Sequence, residues 1–306
     1  MRTLDGRLED ALQALRAAEA QDPTDLSTNY LIGFYLLRLN RPQETLDQYA
    51  KIDAKSWDAV TVGTWRYARL AAANHLLGRH EEELRVARIA RNLFPTSFLS
   101  RNDELIALAA LGRVDELRRA AEDTQTMAAQ GDSTPAVSMR VAAEELRAHG
   151  RLAESIALAQ QAVTWYRNRP ADFLATAANR FLLAQSLYVA EQWTEARAIV
   201  LSLMREQPKS VAYAAMAGAV AARLGDRDAA MRHLATLERA SSEPGGVTEL
   251  RRAELAALLG RREQAVSLLR DAFARGLSMS TGLHRQMDLE SLRGFAPFDE
   301  LLKPKR

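Results

Sequence analysis

Cysteine is absent from all 306 residues. That absence excludes disulfides, thiolate metal sites and every cysteine nucleophile. Long apolar runs are missing too: none approaches the roughly 18 residues of a membrane span. The opening residues, Met1-Arg2-Thr3-Leu4-Asp5, lack the apolar core of a signal peptide, so the sequence as written is expected in the cytoplasm, with no membrane partner. Charge of one sign is scarce. Lys and Arg number 41 against 39 Asp and Glu, a net charge of +2. A pI near 9.0 therefore reflects a small Arg excess and no concentrated nucleic-acid footprint, and nucleic acid is not an expected partner.

The motifs of common chemistry are also missing. There is no Gly-x-Gly-x-x-Gly, no phosphate loop ending in Gly-Lys-Ser/Thr, no kinase catalytic phrase and no His-Glu-x-x-His. The histidines His75, His80, His149, His233 and His284 read as surface or turn residues, since His75 and His80 are five apart with a turn between them. The acidic clusters Glu81–Glu83 and Glu144–Glu145 read as a helix start and a solvated face, because no apolar pocket around them is implied. No metal, cofactor or catalytic residue is expected. An all-helical hydrolase using Asp103 and Glu144 is the reading that an enzyme would require.

What the chain does have is an internal repeat. A turn phrase, usually Gly-Arg followed by acids, recurs at 6, 40, 78, 112, 150, 191, 225 and 260, at intervals of 34, 38, 34, 38, 41, 34 and 35. Each turn divides two apolar-periodic, Ala-rich stretches, and no stretch alternates as a strand would. Around Gly78 the logic is plain. Trp57–Leu77 is helix-compatible; Gly78 allows the positive φ of a sharp turn; Glu81–Glu83 suit a helix N-terminus; Pro95 ends the second helix. The other pairs are Asp25–Leu39 with Gln43–Ile52, Ser97–Leu111 with Val114–Gln130, Pro135–Ala148 with Leu152–Tyr166, Ala171–Ala190 with Thr194–Glu206, Ser210–Leu224 with Asp228–Ala240, and Thr248–Leu259 with Arg262–Ala274. A period in the thirties made of two helices predicts a stacked helical array, in which each unit buries its face against its neighbours.

Small residues keep the same register. Seven before the turn stand Gly33, Ala71, Ala143, Ala184, Gly218 and Ala253, with Leu105 the exception. Five after the turn stand Ala11, Ala196, Ala230 and Ala265, and prolines fall 17 after it at Pro23, Pro95 and Pro208. These spacings resemble the tetratricopeptide repeat (TPR), although its large first-helix position holds Asn29, Arg101 or Arg180. The resemblance covers residues 1 to about 275. It implies an all-α fold: a right-handed superhelical solenoid of about seven helix–turn–helix repeats with an N-terminal half repeat. Residues 276–306 are expected to cap it through Leu289, Leu292, Phe295, Phe298 and Leu301. Asp288-Leu289-Glu290-Ser291-Leu292-Arg293 followed by Phe298-Asp299-Glu300-Leu301-Leu302 is similar to the tails of TPR regions in bacterial kinase and winged-helix regulators. At the other end the sequence opens on a second helix without its first, which suggests a fragment or a truncated relative of a longer regulator.

In the family the first helices line the concave face. Carried over, this places Tyr30 and Phe34, Trp65 and Arg69, Asn102 and Asp103, Arg140 and Glu144, and Phe181 and Gln185 in that groove. Aromatics and Arg are what binding hot spots are made of, while Tyr30 and Trp65 suit packing equally; Leu31, Leu182 and Met216 read as core. The family's Lys/Asn carboxylate clamp is not matched. The expected function is a non-catalytic scaffold that holds a peptide or helix of another protein, as the sensory arm of a bacterial regulator in one version. The alternative is a ligand-sensing repeat domain binding a small molecule or short peptide, with Arg69, Asp103, Arg140 and Glu144 as polar contacts. A homo-oligomer is compatible with either and predicted by neither.

Overall fold

The computed structural model describes residues 4–58, 62–240 and 244–305. The described residues are helical without a strand; one isolated bridge joins Gln130 and Ser133. The helices are α1 (Leu4–Gln21), α2 (Leu26–Arg38), α3 (Pro42–Ala50), α4 (Ala54–Asp58), α5 (Val62–Leu76), α6 (His80–Leu93), α7 (Phe98–Ala110), α8 (Val114–Gln125), α9 (Pro135–Ala148), α10 (Leu152–Arg167), α11 (Ala177–Val189), α12 (Trp193–Glu206), α13 (Val211–Arg223), α14 (Arg227–Arg239), α15 (Val247–Leu258), α16 (Arg262–Arg275), α17 (Thr281–Arg285) and α18 (Ala296–Leu302).

The pairing follows from the ends of the helices. Most first helices begin on a polar cap. Asp25, Ser97, Thr134, Thr176 and Ser210 each accept a bond from the amide three residues on, satisfying a donor that has no partner within the helix. Each first helix then ends in one repeated device. The amide of the residue after the turn reaches back to a carbonyl five residues earlier: Arg41 to Leu36, Arg79 to Asn74, Arg113 to Leu108, Arg151 to Leu146, Gln192 to Leu187, Asp226 to Ala221 and Arg261 to Ala256, all at 2.9–3.0 Å. The turn residue itself is left-handed, as at Gly78 (φ 69) and Gly260 (φ 78). Where glycine is lacking, Asn40 (φ 62) and Glu191 (φ 59) adopt it; asparagine tolerates that region, glutamate less readily.

The chain divides into two compact units. The first comprises residues 1–120, 278–284 and 302–306; the second comprises 121–277 and 285–301. In the first, α3 packs on α2 and on α5, and α6 on α5 and on α7. In the second, α10 joins α9 to α11, α12 joins α11 to α13, and α14 joins α13 to α15, with α16 closing on α15. In these stretches α3, α6, α10, α12 and α14 each touch their own first helix and the next, as stacked TPR-like pairs require.

The small-residue register is what permits that closeness. Ala71, Ala143, Ala184 and Ala253 are buried. A Cβ on Gly33 would stand 2.4 Å from Cζ of Tyr49, and one on Gly218 would stand 2.7 Å from Cδ2 of Leu255. Helix separation follows the side chains at the contact.

Several expectations are corrected. Gly6 is no turn, because α1 runs through it. The helix expected over Trp57–Leu77 is two, α4 and α5, with residues 59–61 outside the described part. Ala171–Ala190 is likewise interrupted: a single 3-10 turn at Phe173–Ala175 precedes the cap Thr176, whose extended backbone (ψ 142) breaks the helix. The helix from Val114 stops at Gln125 rather than Gln130. Glu145 is buried, not solvated, and bonds His149 at 2.9 Å. His75 is buried rather than superficial, and Leu31 is 37% exposed rather than core.

Candidate functional site

The first helices of each unit carry the residues singled out above. In the first unit, α2 and α5 bring four of them together. The Tyr30 and Phe34 rings stack at 6.3 Å, one helical turn apart. The Phe34 ring is covered by two guanidinium groups, Arg69 at 5.1 Å and Arg38 at 5.4 Å, a favourable cation–π arrangement. Trp65, one turn before Arg69, leaves 48% of its surface exposed, and Leu31 on α2 leaves 37%. Tyr30 is anchored differently: its carbonyl accepts the hydroxyl of buried Tyr49 at 3.0 Å, and the two rings stack at 6.4 Å. Asn102 and Asp103 lie half-buried on α7.

In the second unit the first helices are not bare. A segment of the same chain, the 3-10 stretch Met287–Leu292 with its flanks, lies along them. Arg147 of α9 grips Glu290 with two bonds, Nε to Oε2 at 2.8 Å and Nη2 to Oε1 at 3.1 Å. Arg223 of α13 donates to Glu290 Oε1 at 2.9 Å and to the Met287 carbonyl at 2.9 Å, and lies 3.4 Å from Asp288. Tyr188 of α11 donates its hydroxyl to Asp288. From α15, Glu254 accepts from Gln286, and the Ala257 carbonyl accepts the Ser291 hydroxyl at 3.2 Å. Between these polar contacts Met287, Leu289 and Leu292 are buried.

The two acids of this segment differ in character. Burial, helped by the nearby charge of Glu254, pushes the Asp288 carboxyl up to about 6 despite Arg223. Burial alone would raise Glu290 as well, but bonds from Arg147 and Arg223 hold it below the usual carboxylate range. Hydrogen bonds and opposite charges that favour the ionised form outweigh desolvation in one case and not in the other.

The remaining expected residues in this unit are engaged internally. Arg140 and Glu144 pair with each other, and Arg285 stands 3.8 Å from Glu144. Phe181 packs on Tyr213 at 4.9 Å, with Gln185 half-buried one turn on. The family carry-over missed Arg147, Tyr188 and Arg223. A signal for them exists in the turn register: Arg147 and Tyr188 stand three before their turns and Arg223 two before its own. Those positions open onto the end of the first-helix face, beyond the positions carried over.

No known family profile matches the sequence, and no curated protein matches it. Among solved structures it is similar to a tetratricopeptide repeat protein from Parabacteroides merdae, at 12% identity over 93% of this chain and 98% of that one, with a TM-score of 0.45. It is similar to yeast Tom70 at 12% identity, over 88% of this chain and 59% of that one, TM-score 0.41. It is similar to a structure of the APC/C hetero-tetramer Cut9–Hcn1 at 16% identity, over 87% of this chain and 49% of that one, TM-score 0.37. No described helix is long and apolar enough to cross a membrane. Its own helix pairs, their left-handed corners and the small residues at their contacts make this a TPR-like repeat chain.

Proposed function

We propose that the chain is a non-catalytic interaction scaffold whose first-helix faces hold short segments of protein in which apolar and acidic residues alternate. One observation carries the reading. In the second unit such a face already holds a segment of this kind, with Asp288 and Glu290 on Arg223 and Arg147 and with Leu289 and Leu292 buried between them. The first unit offers the same ingredients to another chain: exposed Trp65 and Leu31 beside Arg69, Arg38 and Phe34. Aromatic and arginine anchors are the usual source of interface energy, and guanidinium groups suit carboxylates. Asn102 and Asp103 of α7 extend this face. A role as the sensory arm of a regulator rests on the tail similarity alone. The small-molecule alternative draws less support, since Arg140 and Glu144 already pair with each other.

The test is selection of peptides from a displayed random library on the immobilised full chain. Enriched peptides are expected to carry acids beside apolar residues and to lose about tenfold or more in affinity on W65A and on R69A. W65A should leave the helical far-UV signal and the unfolding midpoint unchanged. Recovery of no peptide, or of peptides indifferent to both variants, overturns the reading.

A further inference from the structure

The turn between α5 and α6 differs from every other in the chain. Five after the turn the chain uses Ala196, Ala230 and Ala265, the small Thr45 and Ser155, or Leu117 at the corner of Gly112, all buried and none charged. At the corner of Gly78 that place holds Glu83, and its carboxylate is buried with 3% of the side chain exposed. Two imidazoles converge on it. Nδ1 of His75 lies 3.0 Å from Oε1 and 3.1 Å from Oε2, and Nδ1 of His80 lies 2.9 Å from Oε2. The three ligand-type atoms fall within 4.8 Å of one another. The histidine rings meet edge to face with centroids 5.2 Å apart.

These dimensions match a metal. In a tetrahedral zinc site with bonds of about 2.0–2.1 Å, donor atoms stand about 3.3 Å apart and the centroids of two ligating imidazoles about 5 Å apart. The nitrogen–oxygen separations of 2.9–3.1 Å fall a few tenths of an ångström short of that spacing, and all three donor atoms lie within 4.8 Å of one another. Two nitrogens and one carboxylate oxygen form a donor set suited to first-row divalent metals, zinc among them, rather than to calcium or magnesium. Access is from the His80 side, where 18% of the side chain is exposed against 4% for His75. The His284 ring stands farther off, 6.4 Å from His75.

We propose that His75, His80 and Glu83 bind one divalent transition-metal ion of the zinc class, with water in the fourth position. The ion would tie the last turn of α5 to the first turn of α6 and fix the corner of the second repeat. A hydrogen-bonded cluster in which both imidazoles simply donate to the carboxylate is the competing account.

The test uses the full chain without a purification tag, stripped with a chelator and titrated with Co2+ and with Zn2+. The expected result is one ion per chain, the ligand-field absorption of tetrahedral Co2+, and an unfolding midpoint raised by about 4 °C or more in saturating Zn2+. H80A removes a partly exposed side chain and should fold. It should weaken Co2+ binding at least about tenfold and abolish the midpoint shift, whereas H149A, at another corner, should do neither. Absence of the Co2+ spectrum and of any Zn2+ shift in the unaltered chain overturns the proposal. So does binding that survives H80A or disappears with H149A.

Discussion

Arg147 and Glu290 form a two-pronged ion pair between residues 143 apart in sequence, with bonds of 2.8 and 3.1 Å. The Arg147 side chain is only 10% exposed, and it also donates to Glu191 at 2.8 Å. Removing one partner of a buried pair strands the other charge, at about 3–5 kcal/mol; Glu290, 30% exposed, retains some water. R147A should therefore cost about 2 kcal/mol in chemical denaturation and speed amide exchange over residues 286–293. Unchanged exchange in that segment would show that the ion pair does not hold it.

Asp288 should make the second unit less stable as pH rises. Its folded pKa lies near 6 against an ordinary value of 3.8. Between those values the folded state holds a proton that the unfolded chain has released, so stability falls as pH climbs from about 4 to about 6. Two pKa units correspond to at most about 3 kcal/mol. D288N removes this titration. The change in unfolding free energy between pH 4.5 and 7.5 should become more favourable by about 2 kcal/mol in the variant; identical pH profiles would refute the assignment.

Glu19 should act in the opposite sense. Burial works to raise its pKa, but bonds from Lys51 (2.7 Å), Gln48 (2.7 Å) and Arg16 bring it down to about 2 from 4.5. A depressed carboxyl stabilises the fold above its unfolded pKa and loses that contribution as pH falls toward 2. E19Q should lower the unfolding midpoint at pH 7 and leave it close to the unaltered protein at pH 2.5. NMR titration of the Glu19 carboxyl carbon checks the pKa directly.

Two glycine variants should separate packing from backbone conformation. At Gly33 a Cβ meets the buried ring of Tyr49 at 2.4 Å, so G33A forces the ring or the helix aside at about 1–3 kcal/mol. At Gly78 a Cβ meets nothing within 4 Å, but φ is 69°, and the left-handed region costs an alanine about 1–2 kcal/mol. Adding Y49F to G33A should recover little, since the ring carbons clash as well as the hydroxyl; Y49A should recover more of the packing cost. Denaturation midpoints of the four variants decide it.

Much of this fold is legible from residue type alone. Gly78, Gly112, Gly150, Gly225 and Gly260 mark corners because only a left-handed residue closes the bond back to the preceding helix. Ala143, Ala184 and Ala253 mark contacts because two helix backbones approach there. Gly6 misled because the phrase around it matches the corners in composition, while its backbone continues α1 without a break. Trp65 and Leu31 show the limit of residue type at the candidate site: hydrophobicity alone did not reveal that water reaches both. Glu83 was readable as an oddity, an acid in the register of alanines, but its partner His75 precedes the turn, and only the closed corner brings them together.

Local chemistry, repeated at each corner, determined that this chain would pair its helices: a cap, a left-handed residue and a small contact residue are all satisfied within one or two repeats. The placement of residues 285–293 required tertiary structure. Arg147, Tyr188, Arg223 and Glu254 lie on four different helices, and their convergence on one segment depends on the accumulated rise and rotation of successive pairs. No short window of sequence encodes that sum, so the occupant of the first-helix face appeared only when the pairs were stacked.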